Sequence, residues 1–366
     1  MNKSLALILS AILLATTTLG VLPVSGTGPT TTPARPKDKV VVDAATEELL
    51  KGAQRYLASR QNPNGSWTVQ DDEHPLAMTA YTVMALLATG NLPNEGEYGK
   101  NVQRGVDFVL SCALSEGYLN SEKTTKGSKK SNMYDHGIAT IMLGEVYGLT
   151  RDPKVKTTLE KSIKLIIGAQ NEEGGWRYEP KPSGADISVT VLQVVALRAA
   201  KNAGIDVPQK TIDRAIAYVK SCYDKPSGAF TYQPRNNQPG LARTAAAIYS
   251  IQVCGIYDDP KITTAVDYLL KVLKDPKTRA DTSWLTYGYF YAAPAMYMVG
   301  GESWETWYGL VNKTLKDKAK KIEGDKTMIY WEQLDGGHKE LGTLYATAVY
   351  THVLALPYHY VPLYQR

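Results

Sequence analysis

A glycine followed within two residues by a large side chain, usually aromatic, recurs along this chain at a nearly constant interval. Two copies share the longer form Gln-x-x-x-Gly-x-Trp, at Gln61–Trp67 and Gln170–Trp176, and shorter copies begin at Gly117 and Gly228. The four glycines, at positions 65, 117, 174 and 228, are 52, 57 and 54 residues apart. Self-similarity at a fixed period of this length is typical of repeat architectures, so the chain is predicted to repeat one small structural unit.

A second marker recurs in the same register. A glycine stops an apolar helical segment five times, with separations of 58, 56, 51 and 45 residues. Glycine is common after the last residue of a helix because it tolerates the left-handed conformation there. These helix-ending glycines are Gly90, Gly148, Gly204, Gly255 and Gly300.

Each repeat contains two helices of different character. The first is amphipathic: in 153–169, Val155, Leu159 and Ile163 form one apolar stripe and the lysines face away from it. The second, as in 186–203, is apolar nearly all round. A helix without a polar face must be covered on every side, so we expect the first helices to form an outer layer and the second an inner layer.

Six such hairpins are predicted. An open stack would need polar faces on its terminal repeats, but neither terminal inner helix has one, so we expect an all-α (α/α)6 toroid, a closed barrel of six helical hairpins. The predicted outer helices are 44–60, 100–113, 153–169, 208–222, 260–274 and 303–321, and the inner helices are 75–89, 135–148, 186–203, 241–255, 285–299 and 341–356.

The N-terminal segment has the order of a secretory signal. Lys3 precedes the apolar run Leu5–Leu14, and small residues follow, so residues 1–25 are predicted to be a signal peptide. An uncleaved membrane anchor is the alternative, since Leu5–Val24 carries no charge. Residues 26–43 are rich in Pro and Thr and are predicted to be a linker, which leaves 44–366 as the repeat domain. We therefore expect an exported protein, periplasmic or secreted.

Charge and cysteine content exclude several classes. A net charge of +5, spread along the chain, gives no basic stripe for nucleic-acid binding. The cysteines number only three, Cys112, Cys222 and Cys254, and all occur in helical, apolar context, so we expect core residues and no bound metal. No nucleotide-binding loop or zinc-protease motif occurs, and no cofactor is predicted.

The repeated motifs resemble those of the prenyltransferase and squalene–hopene cyclase superfamily, the terpenoid cyclases. The resemblance rests on the two Gln-x-x-x-Gly-x-Trp copies and extends over residues 44–356. It implies an α/α toroid in which the Gln side chain meets the end of a neighbouring helix and the Trp stacks beside it. This structural role is expected for Gln61, Gly65, Trp67, Gln170, Gly174 and Trp176.

The catalytic motifs of that superfamily do not carry over. The closest match to the acidic Asp-x-Asp-Asp motif of terpene cyclases contains one acid, Asp186, with Ser188 two residues later. An acid that protonates an alkene needs neighbours that position its proton. The Asp, Cys and His that hold zinc in protein prenyltransferases are also missing, because Ser188 stands where the Cys would be. Whether the chain is an enzyme therefore stays open.

A ligand site is predicted where the inner helices begin. Parallel inner helices place all six N-termini on one face, and polar residues gather there. Tyr outnumbers Phe by 24 to 3, which suits a wet cavity. Helix capping and core packing are the alternative roles for these side chains. The candidate ligand-binding residues are His74, Asp135, His136, Asp186, Arg243, Tyr287 and His338, and Asp186, Asp135 and His136 are also the catalytic candidates.

Three functions remain compatible with these residues. The first is a ligand-binding or scaffold toroid without catalysis, and the second is a terpenoid-cyclase-like enzyme acting on an isoprenoid. The third is a lyase-like enzyme on a polysaccharide, in which Arg243 would neutralise a uronate and His136 or Tyr287 would act as base. An isoprenoid or a glycan is thus the expected small-molecule partner, and the oligomeric state stays open.

Overall fold

Six pairs of helices follow one another in the computed structural model, which describes residues 35–69, 74–121, 132–236, 238–275, 284–334 and 341–361. The outer helices are α1 (Ala44–Ser59), α3 (Gly99–Ser111), α5 (Pro153–Gly168), α7 (Gln209–Ser221), α9 (Pro260–Lys274) and α11 (Gly301–Lys318). The inner helices are α2 (Pro75–Ala88), α4 (Met133–Thr150), α6 (Ile187–Asn202), α8 (Leu241–Val253), α10 (Leu285–Val299) and α12 (Gly342–Ala355).

The inner helices close into a ring. Each packs against the next along the chain, α12 packs against α2, and α1 also contacts α12. Every residue of α2 is buried, whereas α5 buries one stripe that includes Val155, Leu159 and Ile163. The two helix types therefore form two layers, as apolar coverage requires. The predicted all-α toroid of six hairpins is confirmed.

Two glutamines join consecutive outer helices. Gln61 Nε2 donates to the carbonyl oxygens of Gly65 and Asn101, both at 2.9 Å, and Asn101 lies in the first turn of α3. Gln170 Nε2 makes the equivalent bonds in the third hairpin, to Gly174 and to a residue in the first turn of α7. Each side chain thus holds its own turn closed and ties it to the next outer helix.

The tryptophans of the turns satisfy carbonyl groups at outer-helix C-termini. The indole Nε1 of Trp67 donates to Leu57 in α1, and that of Trp176 donates to Ile166 in α5, both at 2.7 Å. The carbonyls of the last helical turn lack the usual partner within the helix. Leu57 and Ile166 also accept from the backbone N–H groups of Arg60 and Ala169, so each indole supplies a second donor. A third tryptophan, Trp331, makes the same 2.7 Å bond to a carbonyl of α11.

A two-stranded hairpin explains why the third tryptophan has no motif. The predicted helix 303–321 is too long, because α11 ends at Lys318 and Ala319 is already extended (ψ 134°). Antiparallel strands β3 (Lys320–Ile322) and β4 (Asp325–Tyr330) follow and carry the chain to Trp331. They replace the Gln-x-x-x-Gly turn, and β4 packs on α1. A shorter antiparallel pair, β1 (Tyr223–Asp224) and β2 (Ala229–Phe230), occupies the turn of the fourth hairpin.

Part of the predicted linker contacts the ring. The guanidinium of Arg35 lies 3.8 Å from the ring centroid of Tyr297 in α10, and the backbone N–H of Lys39 donates to Glu305 of α11 at 3.0 Å. A cation over an aromatic face is attracted by the ring quadrupole. Residues 1–34, with the predicted signal peptide, lie outside the described residues. In the part of the chain that is described, no helix combines the length and the apolar character that a membrane span needs.

Candidate functional site

A cavity of about 510 Å³ opens where the six inner helices begin. Every inner helix contributes side chains from its first turns or from the residue just before it, so the six N-termini face the same opening. We call this space the mouth cavity. Among the side chains that line it are His74, Met78, Tyr81, Tyr134, Asp135, Tyr178, Ser188, Tyr232, Arg243, Trp284, Tyr287, Gln333 and Tyr345.

The predicted site residues divide into three groups in the structure. His74, Asp135, Arg243 and Tyr287 line the mouth cavity, although they lie in or immediately before four different inner helices. His136 and Asp186 are fully buried next to it and are not among the side chains that line it. His338 lies outside the described residues.

His74 and Asp135 meet across the cavity wall. The His74 Nδ1 lies 3.8 Å from the Asp135 Oδ1, close enough for an ion pair when the imidazole is protonated. His74 adopts a left-handed conformation (φ 51°, ψ 40°) immediately before Pro75, which is an uncommon backbone state for a residue with a side chain. Asp135 also accepts a bond from the backbone of Asn132 at 3.3 Å, as part of the capping box of α4.

Asp186 is the N-cap of α6. Its Oδ1 accepts from the Val189 N–H at 2.9 Å, and its Oδ2 lies 3.2 Å from the Arg177 Nη1, an ion pair without hydrogen-bond alignment. Burial raises the pKa of Asp186, while the Val189 N–H and the Arg177 charge act in the opposite direction. The residue therefore caps a helix and pairs with the Arg177 guanidinium.

His136 is an acceptor in the core. Its Nδ1 accepts the backbone N–H of Leu119 at 3.2 Å. Burial lowers the pKa of His136 to about 4, so the imidazole is neutral at neutral pH. In four other hairpins the acceptor of the equivalent backbone N–H is a threonine hydroxyl, at 2.9–3.1 Å. The donor and acceptor pairs are Trp67 and Thr79, Trp176 and Thr190, Phe230 and Thr244, and Trp331 and Thr347.

Two tyrosines that we did not predict form one wall of the cavity. The hydroxyls of Tyr178 and Tyr232 lie 2.8 Å apart, and the ring of Tyr134 stacks on Tyr178 with centroids 5.9 Å apart. The Arg177 guanidinium lies 4.7 Å from the Tyr178 centroid, and that of Arg243 lies 6.0 Å from the Tyr232 centroid. The wall is therefore aromatic, hydroxylated and adjacent to two cations.

A signal for these tyrosines exists in the repeat. Tyr178 stands two residues after Trp176, and Tyr232 stands two residues after Phe230. Gln333 stands two residues after Trp331 and also lines the cavity. In an extended segment, side chains two positions apart point to the same side. Once the turn aromatics are aligned, this position could be identified from sequence.

The floor of the mouth cavity is aromatic. Tyr287 lines the cavity, whereas Tyr291, one turn further along α10, is fully buried, with the two ring centroids 4.9 Å apart. Tyr81 packs edge-on against Tyr345 at 5.1 Å and against Phe290 at 5.0 Å. Burial raises the pKa of Tyr287 and Tyr291 well above 10, so these phenols stay neutral and retain their donor hydrogens. Of these rings, Tyr81, Tyr287 and Tyr345 line the cavity, whereas Phe290 and Tyr291 do not.

Metal ligands do not cluster in the parts of the chain that the structure describes. No group of three His, Cys, Asp or Glu side chains there is placed to hold a metal ion. Of the three cysteines, Cys112 and Cys222 are buried and Cys254 is partly buried, and all are free thiols.

Comparison with solved structures places the fold among enzymes of several activities. Cellobiose 2-epimerase from Bacillus thermoamylovorans has a TM-score of 0.65 with 13% identity, covering 87% of this chain and 99% of the epimerase. The GH76A alpha-1,6-mannanase from Salegentibacter sp. HEL1_6 has a TM-score of 0.62 with 8% identity, covering 86% and 99%. A type II terpene cyclase from Scytonema, in complex with geranylgeranyl dihydroxybenzoate, has a TM-score of 0.58 with 14% identity, covering 87% and 99%.

Two further comparisons bear on the resemblance. Lanosterol synthase erg7A from Aspergillus fumigatus is 26% identical over 144 residues, which is 38% of this chain and only 18% of that enzyme. The resemblance to terpenoid cyclases thus holds at the level of the α/α toroid, which the mannanase and the epimerase share. The match to one family description runs over residues 46–245, more than half of the chain. The protein belongs to the family described as Domain of unknown function (DUF6288).

Proposed function

We propose that this protein binds a small glycan in the mouth cavity. The observation that carries the proposal is the composition of the wall, where tyrosines from several inner helices and from the two turn positions present both ring faces and hydroxyls. A sugar ring has the matching character, an apolar face edged by hydroxyl groups, and Tyr supplies an apolar body with a polar tip. The volume of about 510 Å³ lies in the usual range for small-molecule sites.

The charges of the cavity are compatible with a neutral or a weakly acidic sugar. Arg243 and the six helix N-termini favour an anionic group, whereas Asp135 opposes one. A mannanase of the same fold has been solved as an inactive variant with alpha-1,6-mannotriose bound, which supports a glycan without specifying one.

An isoprenoid is the second candidate ligand. The similarity to lanosterol synthase and the aromatic floor around Phe290 favour it. Cyclisation would need a proton-donating acid that faces the substrate. Asp186 accepts from a helix N-terminus and pairs with Arg177 outside the cavity lining. Asp135 does line the cavity, but it accepts from the Asn132 N–H in the capping box of α4 and lies 3.8 Å from His74. We therefore infer binding without protonation-driven cyclisation. The lyase alternative loses His136, which is a buried neutral acceptor. Of the two bases considered for it, Tyr287 is the one in contact with the cavity.

Calorimetry with a defined panel tests the proposal. The panel contains α-1,6-linked mannose, β-1,4-linked glucose and oligogalacturonate, each from one to six units, and geranylgeranyl diphosphate. We expect one glycan series to bind, and Tyr232→Ala to weaken that binding at least about tenfold because the wall loses a stacking face. Tyr360→Ala is the matched control, since Tyr360 is exposed and lies beside Gly90, after the C-terminal end of α2.

Other outcomes separate the candidates. Binding of geranylgeranyl diphosphate alone would favour an isoprenoid site. If no member of the panel binds, a scaffold protein is the remaining candidate. Asp186→Asn should keep glycan binding, because an amide oxygen can still accept from the Val189 N–H. If the folded Asp186→Asn protein lost binding completely, the role of Asp186 would not be limited to capping α6.

Export remains part of the proposal. We infer that residues 1–25 direct secretion and that residues 26–43 connect the signal to the ring, from the charge and hydropathy pattern of the segment. Intact-mass analysis of protein recovered from an expressing host tests cleavage. A mature chain that begins near Gly26 supports a cleaved signal, and a full-length chain in the membrane fraction supports an anchor.

A further inference from the structure

We propose that the mouth cavity binds the end of an oligosaccharide chain, and that Trp284 and Tyr178 at its rim hold the units that follow. This inference rests on the proposed function, because it specifies which part of a glycan enters the site. The observations that carry it are the closed floor of the cavity and two exposed, fixed aromatic side chains at its entrance.

The closed floor allows entry from one side only. Below Tyr287, the rings of Phe290 and Tyr291 are 4% and 0% exposed. They contact rings of three other inner helices, Tyr81 of α2, Tyr249 of α8 and His352 of α12, so side chains from several sides of the toroid meet there. A chain that continued past both ends of its bound segment would have to leave the cavity through this layer. A ligand that enters from the rim therefore places a terminus at the floor.

The rim carries an unusual concentration of exposed aromatic surface. Trp284 is 42% exposed and Tyr178 is 39% exposed, and both also line the mouth cavity. Of the large hydrophobic side chains described as exposed, these two belong to the cavity entrance, whereas Val41, Leu310 and Tyr360 do not line it. Exposed apolar surface next to a cavity marks a binding surface more often than apolar side chains scattered singly.

Both rim rings are held in place by neighbouring groups. Tyr178 shares a 2.8 Å hydroxyl contact with Tyr232, stacks on Tyr134 and lies under the Arg177 guanidinium. The ring of Trp284 meets that of Tyr287 edge-on, with centroids 6.5 Å apart. A fixed ring loses little conformational entropy when a ligand stacks on it, so such a ring is an efficient contact for a sugar face.

The expected signature is a dependence of affinity on chain length. Affinity should rise from the monosaccharide to a plateau at the length that covers the rim, because each rim ring adds a stacking contact. With about 1 kcal/mol for one aromatic contact, Trp284→Ala should lower the ratio of hexasaccharide to disaccharide affinity by about fivefold to tenfold. Tyr178→Ala should lower the same ratio, and Tyr360→Ala should leave it as in the wild type.

End-blocked ligands test the terminus directly. For the glycan series of the calorimetry panel that binds, oligosaccharides with a bulky substituent at the reducing end, at the non-reducing end or at both ends are compared with the unmodified hexasaccharide. We expect one of the two single blocks, and the double block, to weaken binding at least a hundredfold. Thermal melts of each variant establish that it is folded.

Different results would contradict the proposed glycan binding and the chain-end inference. If no glycan of the panel binds, both the proposed function and this inference are wrong. If glycans bind with an affinity that is independent of length, or if a double-blocked hexasaccharide binds as well as the free one, the site recognises a single unit or an internal segment. In that case the proposed function stands and the chain-end inference is overturned.

Discussion

Leu119 donates its backbone N–H to the Nδ1 of His136 at 3.2 Å, in the position where four other hairpins use a threonine hydroxyl. The bond ties the turn of a hairpin to the start of its inner helix. Among these five hairpins, the second is therefore the one whose acceptor is a titratable group. Since His136 is fully buried, its protonation would place a charge in the core and remove the acceptor.

Stability should consequently fall as the pH is lowered. Burial lowers the pKa of His136 and of His352 to about 4, from an ordinary value of 6.5. Between pH 6.5 and pH 4 the unfolded chain binds protons at these positions that the folded chain does not, so unfolding is favoured by roughly 2–3 kcal/mol per histidine across the window. Urea unfolding at pH 7.5 and pH 5 measures the loss.

A substitution isolates the contribution of the second hairpin. His136→Gln keeps an acceptor for the Leu119 N–H and does not titrate, so its stability should depend less steeply on pH than that of the wild type. Asp186, whose pKa burial raises, acts in the opposite direction and is present in both proteins, so it cancels in the comparison. Parallel pH profiles for the two proteins would show that His136 is not the titrating group.

The third tryptophan should be as important to stability as the two in the repeated motif. Trp331→Ala and Trp176→Ala each remove a fully buried side chain and its bond to a helix carbonyl, and each is expected to cost about 3–5 kcal/mol. Trp284→Ala is the matched control, because its side chain is 42% exposed. Differential scanning calorimetry compares the three, and equal melting temperatures for Trp331→Ala and Trp284→Ala would argue against the equivalence.

The glycine of the third turn is required by two separate effects. Gly174 has a φ of +95°, and a Cβ there would lie 2.3 Å from the Arg214 carbonyl oxygen. Gly324 has a φ of +89° with nothing within 4 Å, so Gly324→Ala reports the conformational cost alone, about 1–2 kcal/mol. Gly174→Ala should be clearly more destabilising in denaturant unfolding, and similar losses for the two would mean that the turn shifts to relieve the contact.

The thiols should be unreactive while the protein is folded. Burial raises the pKa of Cys222 and Cys254 to about 12, and the thiolate is the reactive form. We expect a thiol reagent to label all three cysteines only in denaturant, and elemental analysis to find no stoichiometric zinc. Zinc that disappears when Cys112, Cys222 or Cys254 is changed to Ser would overturn the predicted absence of a cysteine metal site.

The local sequence determined the helices and their layers. Bounds such as Pro153–Gly168 and Pro260–Lys274 follow from Asp-Pro at the start of each helix and from the end of the apolar stripe, and those features act within a few residues. The same reasoning did not identify Trp331 as part of the repeat. Its turn is a β-hairpin, so its equivalence to Trp67 is visible only in the bonds that each residue makes, from the indole to an outer helix and from the backbone N–H to an inner-helix threonine.

The candidate site was only partly accessible from sequence. Helix starts placed His74, Asp135, Arg243 and Tyr287 on one face, because all inner helices of a closed ring run in the same direction. Sequence could not separate them from Asp186 and His136, which occupy similar positions near helix starts. Asp186 turns toward Arg177 and His136 turns toward Leu119, in each case a residue in the turn of the same hairpin. The spacing of residues near a helix start does not show which way a side chain turns.

Sequence by itself therefore determined the repeat, the two helix layers and the closure of the ring, since these follow from periodicity and from the need to cover apolar faces. Only the tertiary structure decided the wall and the depth of the mouth cavity. Tyr178 and Tyr232 come from separate turns, and the floor is made by rings from different inner helices. The repeat places Tyr178 and Tyr232 at equivalent positions, but the meeting of their hydroxyls is set by the distance between segments far apart in the chain, which no local pattern records.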